Sequence, residues 1–131
     1  IDIPLFDGRV AAGQPALAVE SRRQTLTISR TLVGRARDVF ALEVQGDSMI
    51  GDGIYDGDIV FVEKAKVTRP DEITVVRVDD SVTIKRIAHD GDTIRLLSSN
   101  PTHADIIINV EEGRSVETVG RLVGVYRSLD G

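Results

Sequence analysis

The sequence predicts an all-β domain with a compact folded-sheet or barrel-like core. Short segments rich in Val and Ile recur along the 131 residues, and each is too short to form a stable helix. Gly, Asp and Pro residues that favour turns separate these segments. The length suits a single domain that buries a real core, and 41% hydrophobic with 28% charged residues is typical of a globular chain.

Seven segments are predicted as strands, because each is alternating or uniformly apolar over a few residues. Residues 89–92 form a short connection between two of these segments, 82–87 and 93–97, which predicts a β-hairpin. Residues 31–37 favour one helical turn, which Gly34 weakens. The predicted strands are 39–44, 59–62, 73–78, 82–87, 93–97, 106–110 and 119–126.

The N-terminal residues 1–22 are interpreted as a separate loop-bearing segment rather than a second domain. Asp7-Gly8 and Gly13-Gln14-Pro15 are expected to break any regular element there. Residues 23–131 then form the β-rich core.

Composition excludes several kinds of site. The chain has no cysteine, which rules out a Cys nucleophile, a thiolate zinc site and disulfides. A calcium loop counted from Asp52 fails, because Ile54 stands at its third ligand position. We expect no metal and no cofactor.

Charge and hydropathy narrow the partners and the location. A net charge of −5 makes the domain a poor nucleic-acid binder by itself. With no signal peptide and no membrane-spanning segment visible, we expect a cytoplasmic protein that does not contact a membrane.

The segment Gly46-Asp47-Ser48-Met49-Ile50 is a candidate nucleophile turn. Ser48 follows a predicted strand within a glycine-punctuated stretch, where backbone N–H groups can converge on an oxyanion. Composition alone favours a simpler interpretation, in which Ser48 is a surface residue of a strand–turn–strand unit.

Lys85 is a candidate general base. It is one of only three lysines, and strand alternation places it on one face with Thr83 and Ile87. If that face is buried, the lysine pKa falls and the neutral amine can take a proton from a serine. The alternative is an edge strand whose lysine extends into solvent. Neither His89 nor His103 has a sequence feature linking it to Ser48, and a Ser-His-Asp triad stays open.

Three motifs in order resemble the LexA/UmuD/phage-repressor family of self-cleaving proteins. The nucleophile segment around Ser48 is followed 37 residues later by the lysine of Thr83-Ile84-Lys85-Arg86. Upstream, Ala11-Ala12-Gly13-Gln14-Pro15 is similar to the cleavage site of LexA-type members, and residues 119–125 resemble their closing strand.

The resemblance implies a serine–lysine peptidase that cuts its own Ala12–Gly13 bond. Ser48 would be the nucleophile and Lys85 the general base, with the backbone N–H groups of Ser48 and Met49 forming the oxyanion hole.

The resemblance also implies partners. A RecA–single-stranded-DNA filament would stimulate cleavage, and the domain would form homodimers through residues 119–126. Operator DNA would be bound only by a winged helix-turn-helix domain that is absent from this chain. Cleavage would then inactivate a repressor of the SOS response to DNA damage.

Several alternatives remain at this stage. A UmuD-like translesion polymerase accessory protein or a prophage repressor would use the same chemistry, although Cys-Gly is the commoner site in UmuD-type proteins. A signal peptidase also uses Ser and Lys but needs a membrane anchor. A β-domain used only for dimerisation is the non-enzymatic alternative.

Overall fold

The computed structural model describes residues 1–11, 16–17 and 22–129. Strands account for most of this part of the chain, and its helical content is limited to three single-turn 3-10 helices, Arg30–Leu32, Ile50–Asp52 and Val110–Glu112. The all-β class predicted from the sequence is therefore confirmed. The strands are β1 (Asp2–Ala11), β2 (Ala16–Leu17), β3 (Arg22–Thr27), β4 (Val39–Gln45), β5 (Ile59–Lys64), β6 (Thr74–Val78), β7 (Ser81–Asp90), β8 (Thr93–Leu97), β9 (Ile106–Asn109) and β10 (Val116–Tyr126).

The sheet closes on itself. Nine strands pair in the order β3-β1-β4-β5-β10-β6-β7-β8-β9, and β2 pairs with β7 outside that path. The end of β1 also meets β7, where Ala11 lies opposite Thr83. Strands β1, β4, β5, β10, β6 and β7 consequently form a ring, which is the barrel-like core that the sequence predicts.

Alternation along β4 divides its side chains between two apolar clusters. Phe40, Leu42 and Val44 belong to the main cluster, whereas Val39 and Ala41 pack into a second cluster on the other face. A third cluster, which includes Ile87 and Leu96, lies under the β7–β8–β9 extension of the sheet. This packing holds the β4–β5 pair between two apolar layers.

The predicted hairpin is confirmed. Strands β7 and β8 pair from Arg86–Leu97 to Asp90–Thr93, leaving Gly91 and Asp92 as the loop. Gly91 has φ of +63°, a conformation that side chains with a Cβ atom rarely adopt. The seven predicted strands all occur, with ends that differ by a few residues. Residues 31–37 contribute only the end of the 3-10 helix Arg30–Leu32.

The expectation that Asp7-Gly8 breaks regular structure is wrong. Strand β1 continues through these residues, and the register of its pairing with β4 shifts between Leu5 and Arg9. Asp7-Gly8 therefore marks a bulge within strand β1 and not the end of that strand. The proposed division at residue 22 stays a prediction.

Within the described part of the chain, no helix has the length and apolar character needed to cross a membrane.

Candidate active site

Ser48 lies in the turn that connects β4 to the 3-10 helix Ile50–Asp52. Its side chain and that of Met49 are fully buried. Backbone bonds from Asp52 and Ile54 to the Met49 carbonyl wrap the turn tightly around this position. The interpretation of Ser48 as a surface residue is therefore wrong.

Lys85 reaches Ser48 from the interior of the sheet. Strand β7 lies between β6 and β8, and Lys85 is only 1% exposed, which excludes the alternative of an edge-strand lysine in solvent. Its Nζ hydrogen-bonds to Ser48 Oγ at 2.7 Å. The amine also contacts Thr83 Oγ1 at 3.4 Å and the Ile84 carbonyl at 3.2 Å. Thr83 and Lys85 share a face, as strand alternation predicts.

Burial changes the charge of the lysine. Loss of water around the ammonium lowers the pKa of Lys85 from 10.5 to about 8, and the negative charge of Asp105 opposes part of that fall. At pH 7 about one tenth of the lysine would then be the neutral amine, far more than for a lysine in water. This direction agrees with the sequence expectation for a lysine on a buried face.

An ion pair ties the serine turn to the lysine strand. Arg86, which follows Lys85, contacts both carboxylate oxygens of Asp52, which lies four residues after Ser48. The hydrogen bond from Arg86 lowers the pKa of Asp52 below its usual range, against the opposing effect of burial. Arg86 Nε also donates to the Asp71 carbonyl. The pair thus joins the two segments that carry Ser48 and Lys85.

The connection between β8 and β9 supports the serine turn from a second direction. The Ser99 N–H donates to the Ser48 carbonyl at 2.7 Å, and the Gly51 N–H donates to the Ser99 carbonyl at 2.7 Å. Asn100 Nδ2 donates to the Asp47 carbonyl at 2.9 Å. A Cβ atom on Gly51 would lie 2.6 Å from the Ser99 carbonyl oxygen, so this close approach requires glycine.

Ala12 and Gly13, the residues of the predicted scissile bond, lie outside the described residues. The described residues on either side of them both pair with β7. Ala11 lies opposite Thr83, and Ala16 lies opposite Val82. Both flanks of the predicted bond are thus attached to the strand that carries Lys85.

The histidines are engaged elsewhere. His103 Nε2 hydrogen-bonds to Asp47 Oδ1 at 2.5 Å, and His89 lies opposite Ile94 in the hairpin. The side chain in contact with Ser48 Oγ is a lysine. Among the residues the structure describes, no group of His, Asp and Glu side chains is placed to hold a metal ion.

Sequence reasoning missed three supporting residues: Asp52, Arg86 and Asn100. Asp52 lies close to Ser48 in the sequence but carries no local signal of a role, and Asn100 precedes Pro101 like an ordinary turn residue. The adjacency of Arg86 to Lys85 was a usable signal, but its partner could not be identified without the fold.

Comparisons with known proteins identify the family of the chain. Residues 4–123 match the family described as peptidase S24-like. The chain is 46% identical over 129 residues to a LexA repressor of Anaeromyxobacter dehalogenans, covering 98% of this chain and 56% of that protein.

Two further relatives give the same pattern. A LexA repressor of Myxococcus xanthus is 45% identical over 133 residues, which is all of this chain and 60% of that protein. A LexA repressor of Clostridium acetobutylicum is 42% identical over 127 residues, with 97% and 59% covered. The chain thus spans a little over half the length of these relatives. Because the family match extends over nearly the whole sequence, the chain belongs to the peptidase S24-like family.

Proposed function

We propose that this chain is the self-cleaving serine peptidase domain of a LexA-type repressor of the SOS response. The observation that carries the proposal is the buried contact of 2.7 Å between Lys85 Nζ and Ser48 Oγ, with the lysine pKa lowered to about 8. Burying a lysine is costly, and a structural role alone would favour an apolar residue at this position.

The proposed reaction hydrolyses the Ala12–Gly13 bond. Neutral Lys85 takes the Ser48 hydroxyl proton as Oγ bonds to the Ala12 carbonyl carbon. Lys85 then gives that proton to the Gly13 nitrogen as the C–N bond breaks, which leaves an acyl-enzyme. A water molecule deprotonated by Lys85 attacks this ester, and Ser48 leaves with the proton.

Both flanks of the proposed substrate segment pair with the strand that carries the base. Ala11 and Ala16 both pair with β7 within three residues of Lys85. The tether therefore supplies proximity, and the orientation of the bond determines the rate.

The oxyanion of the intermediate is bound by the N–H groups of Ser48 and Met49. In the described part of the chain, neither N–H donates a hydrogen bond to another group. Both belong to the turn that carries the nucleophile, which is the usual place for such donors.

We extend the proposal to regulation on the basis of the LexA relatives. A RecA–single-stranded-DNA filament would accelerate cleavage by binding better to the form in which the scissile bond is engaged. In the whole protein, a separate DNA-binding domain would contact the operator, and cleavage would remove it from the dimerising domain. Loss of bivalent binding would then release the operator in the bacterial cytoplasm.

Dimerisation would use the end of β10. Val125 and Tyr126 are 42% and 51% exposed there, and Leu32, whose carbonyl lies against Gly124, is 43% exposed. Exposed apolar and aromatic side chains grouped in this way are typical of interface cores.

The test is cleavage of the chain with its natural N-terminal extension restored. It is incubated at pH 7 and pH 10, and separately with RecA, ATP and single-stranded DNA, and the products are weighed by mass spectrometry. Fragments ending at Ala12 and starting at Gly13 are expected, and Ser48→Ala should produce none. An intact wild-type chain under every condition would overturn the proposal and favour a dimerisation module.

A further inference from the structure

Two consecutive carbonyl groups of the serine turn are held by one loop. The Asp47 carbonyl accepts from Asn100 Nδ2 at 2.9 Å, and the Ser48 carbonyl accepts from the Ser99 N–H at 2.7 Å. Ser99 and Asn100 are neighbours in the connection between β8 and β9. The turn is thus fixed from outside by adjacent groups, not only by its own backbone bonds.

Holding a carbonyl also orients the next N–H. A peptide unit is planar and trans, so its C=O and N–H point in opposite directions. The Asp47 carbonyl shares a peptide unit with the Ser48 N–H, and the Ser48 carbonyl shares one with the Met49 N–H. Because both carbonyls point toward the 98–103 loop, both N–H groups point away from it, to a common side of the turn.

We infer that Asn100 is a positioning residue for catalysis, which orients the oxyanion-binding N–H of Ser48 through the Asp47 carbonyl. This inference rests on the proposed function, because it assigns a support to the proposed oxyanion hole. The Asn100 side chain hydrogen-bonds to the Asp47 carbonyl and to Thr102, so its proposed effect on the reacting atoms passes through the turn.

The surroundings of Asn100 fit this role. The side chain is 8% exposed, and its Oδ1 accepts both the backbone N–H and the hydroxyl of Thr102. The amide group is therefore locked in one orientation, with Nδ2 aimed at the Asp47 carbonyl. The backbone bond from Ile50 to the same carbonyl is longer, at 3.3 Å, and is a weaker constraint.

The test compares Asn100→Ala and Asn100→Asp with Thr102→Val. Asn100→Asp keeps the size and the acceptor oxygen but loses the donor, whereas Thr102→Val removes only the hydroxyl contact on the opposite side of the amide. Self-cleavage is followed from pH 6 to pH 10 in each protein, below its own unfolding temperature.

Removing an oxyanion donor outright costs about 10²- to 10³-fold in rate. Misorienting one donor should cost less, and we expect the plateau rate of both Asn100 variants to fall about 10- to 100-fold. Thr102→Val should stay within about twofold of wild type, because the backbone N–H of Thr102 still orients the amide.

The pH profile separates positioning from a general structural effect. The midpoint of the Asn100→Ala profile should match that of wild type, since the pKa of Lys85 depends on burial and on Asp105. A wild-type plateau in Asn100→Ala, or a loss that disappears at high pH, would overturn the inference. A wild-type chain that neither cuts itself nor reacts with a phosphonofluoridate at Ser48 would overturn the proposed function and this inference together.

Discussion

At the scale of single residues, the burial of Lys85 sets the pH range of the proposed reaction. Only the neutral amine can accept the Ser48 proton, and the pKa is about 8. We expect the first-order rate of self-cleavage without an activator to rise about tenfold per pH unit below 8 and then to level off. Gel or mass-spectrometric time courses from pH 6 to pH 10 measure this, and a flat profile would contradict Lys85 as the base.

Replacing the lysines one at a time checks the same assignment. Lys85→Ala should abolish cleavage, because it removes the amine that hydrogen-bonds to Ser48 Oγ. Lys66→Ala is the matched control, since Lys66 is exposed and lies in the segment after β5. Cleavage by Lys85→Ala at the wild-type rate would remove Lys85 from the mechanism.

The same buried lysine should lower stability at neutral pH. Its pKa is about 8 in the folded state and near 10.5 in the unfolded state, so the unfolded chain binds more protons between these values. Stability therefore rises with pH across that window, and the full penalty, about 3 kcal/mol, is present below pH 8.

We therefore expect Lys85→Met to raise the free energy of unfolding at pH 7, by up to about 3 kcal/mol. The gain should shrink as the pH approaches 10.5. Urea unfolding in a Ser48→Ala background avoids cleavage in both proteins. A gain that does not change with pH would show that packing, rather than charge, is responsible.

At the scale of elements, the Arg86–Asp52 pair connects β7 to the turn after β4. The two side chains are 30% and 23% exposed, so solvent weakens the pair less than an open surface contact. Breaking it should loosen the serine turn against Lys85. We expect Asp52→Asn and Arg86→Gln each to slow cleavage about three- to tenfold while the chain stays folded.

A control pair lies elsewhere on the sheet. Arg114 and Asp79 form an ion pair at 3.1 Å, and Arg114→Gln should leave the cleavage rate unchanged. The exchange Asp52→Arg with Arg86→Asp should recover part of the lost rate. Wild-type rates in both single variants would show that the backbone bonds to Ser99 suffice to hold the turn.

The same scale shows what sequence can predict here. Segments such as β7 and β8 are recognisable because their Val and Ile content and turn residues agree with their final pairing. Strand β1 was missed, because Asp7-Gly8 has turn chemistry and only pairing with β4 shows that it forms a bulge. Local sequence carries no information about that distant partner.

The candidate site, too, could be predicted from the sequence only in part. Ser48 and Lys85 were identifiable from their motifs, and strand alternation put Lys85 on a face with Thr83. Their contact at 2.7 Å depends on closure of the ring by long-range pairing, which no local pattern encodes. The contribution of Asn100 is less predictable still, because it acts through a backbone carbonyl 53 residues away.

At the scale of the whole molecule, ring closure attaches both flanks of the proposed scissile bond to the strand that carries the base of the same chain. Ala11 and Ala16 pair with β7 of the same chain, so cleavage should occur within a subunit. The first-order rate constant should not change when the protein is diluted from about 100 μM to 0.1 μM, a range that spans typical dimer affinities. A rate that falls on dilution would indicate cleavage between subunits.

Separating dimerisation from cleavage completes that test. Tyr126→Glu replaces a half-exposed aromatic side chain at the end of β10 with a charged one. We expect it to raise the dissociation constant of the dimer at least tenfold, as measured by sedimentation. Val67→Glu adds the same charge at a residue that is 84% exposed and distant in sequence from the proposed interface, and should leave association unchanged. Both variants should keep the wild-type cleavage rate, because the ring, the proposed Ser48–Lys85 pair and the flanking strands belong to one chain. If Tyr126→Glu slowed cleavage in proportion to its loss of dimer, the active form would be the dimer, and the role of β10 would extend from assembly to catalysis.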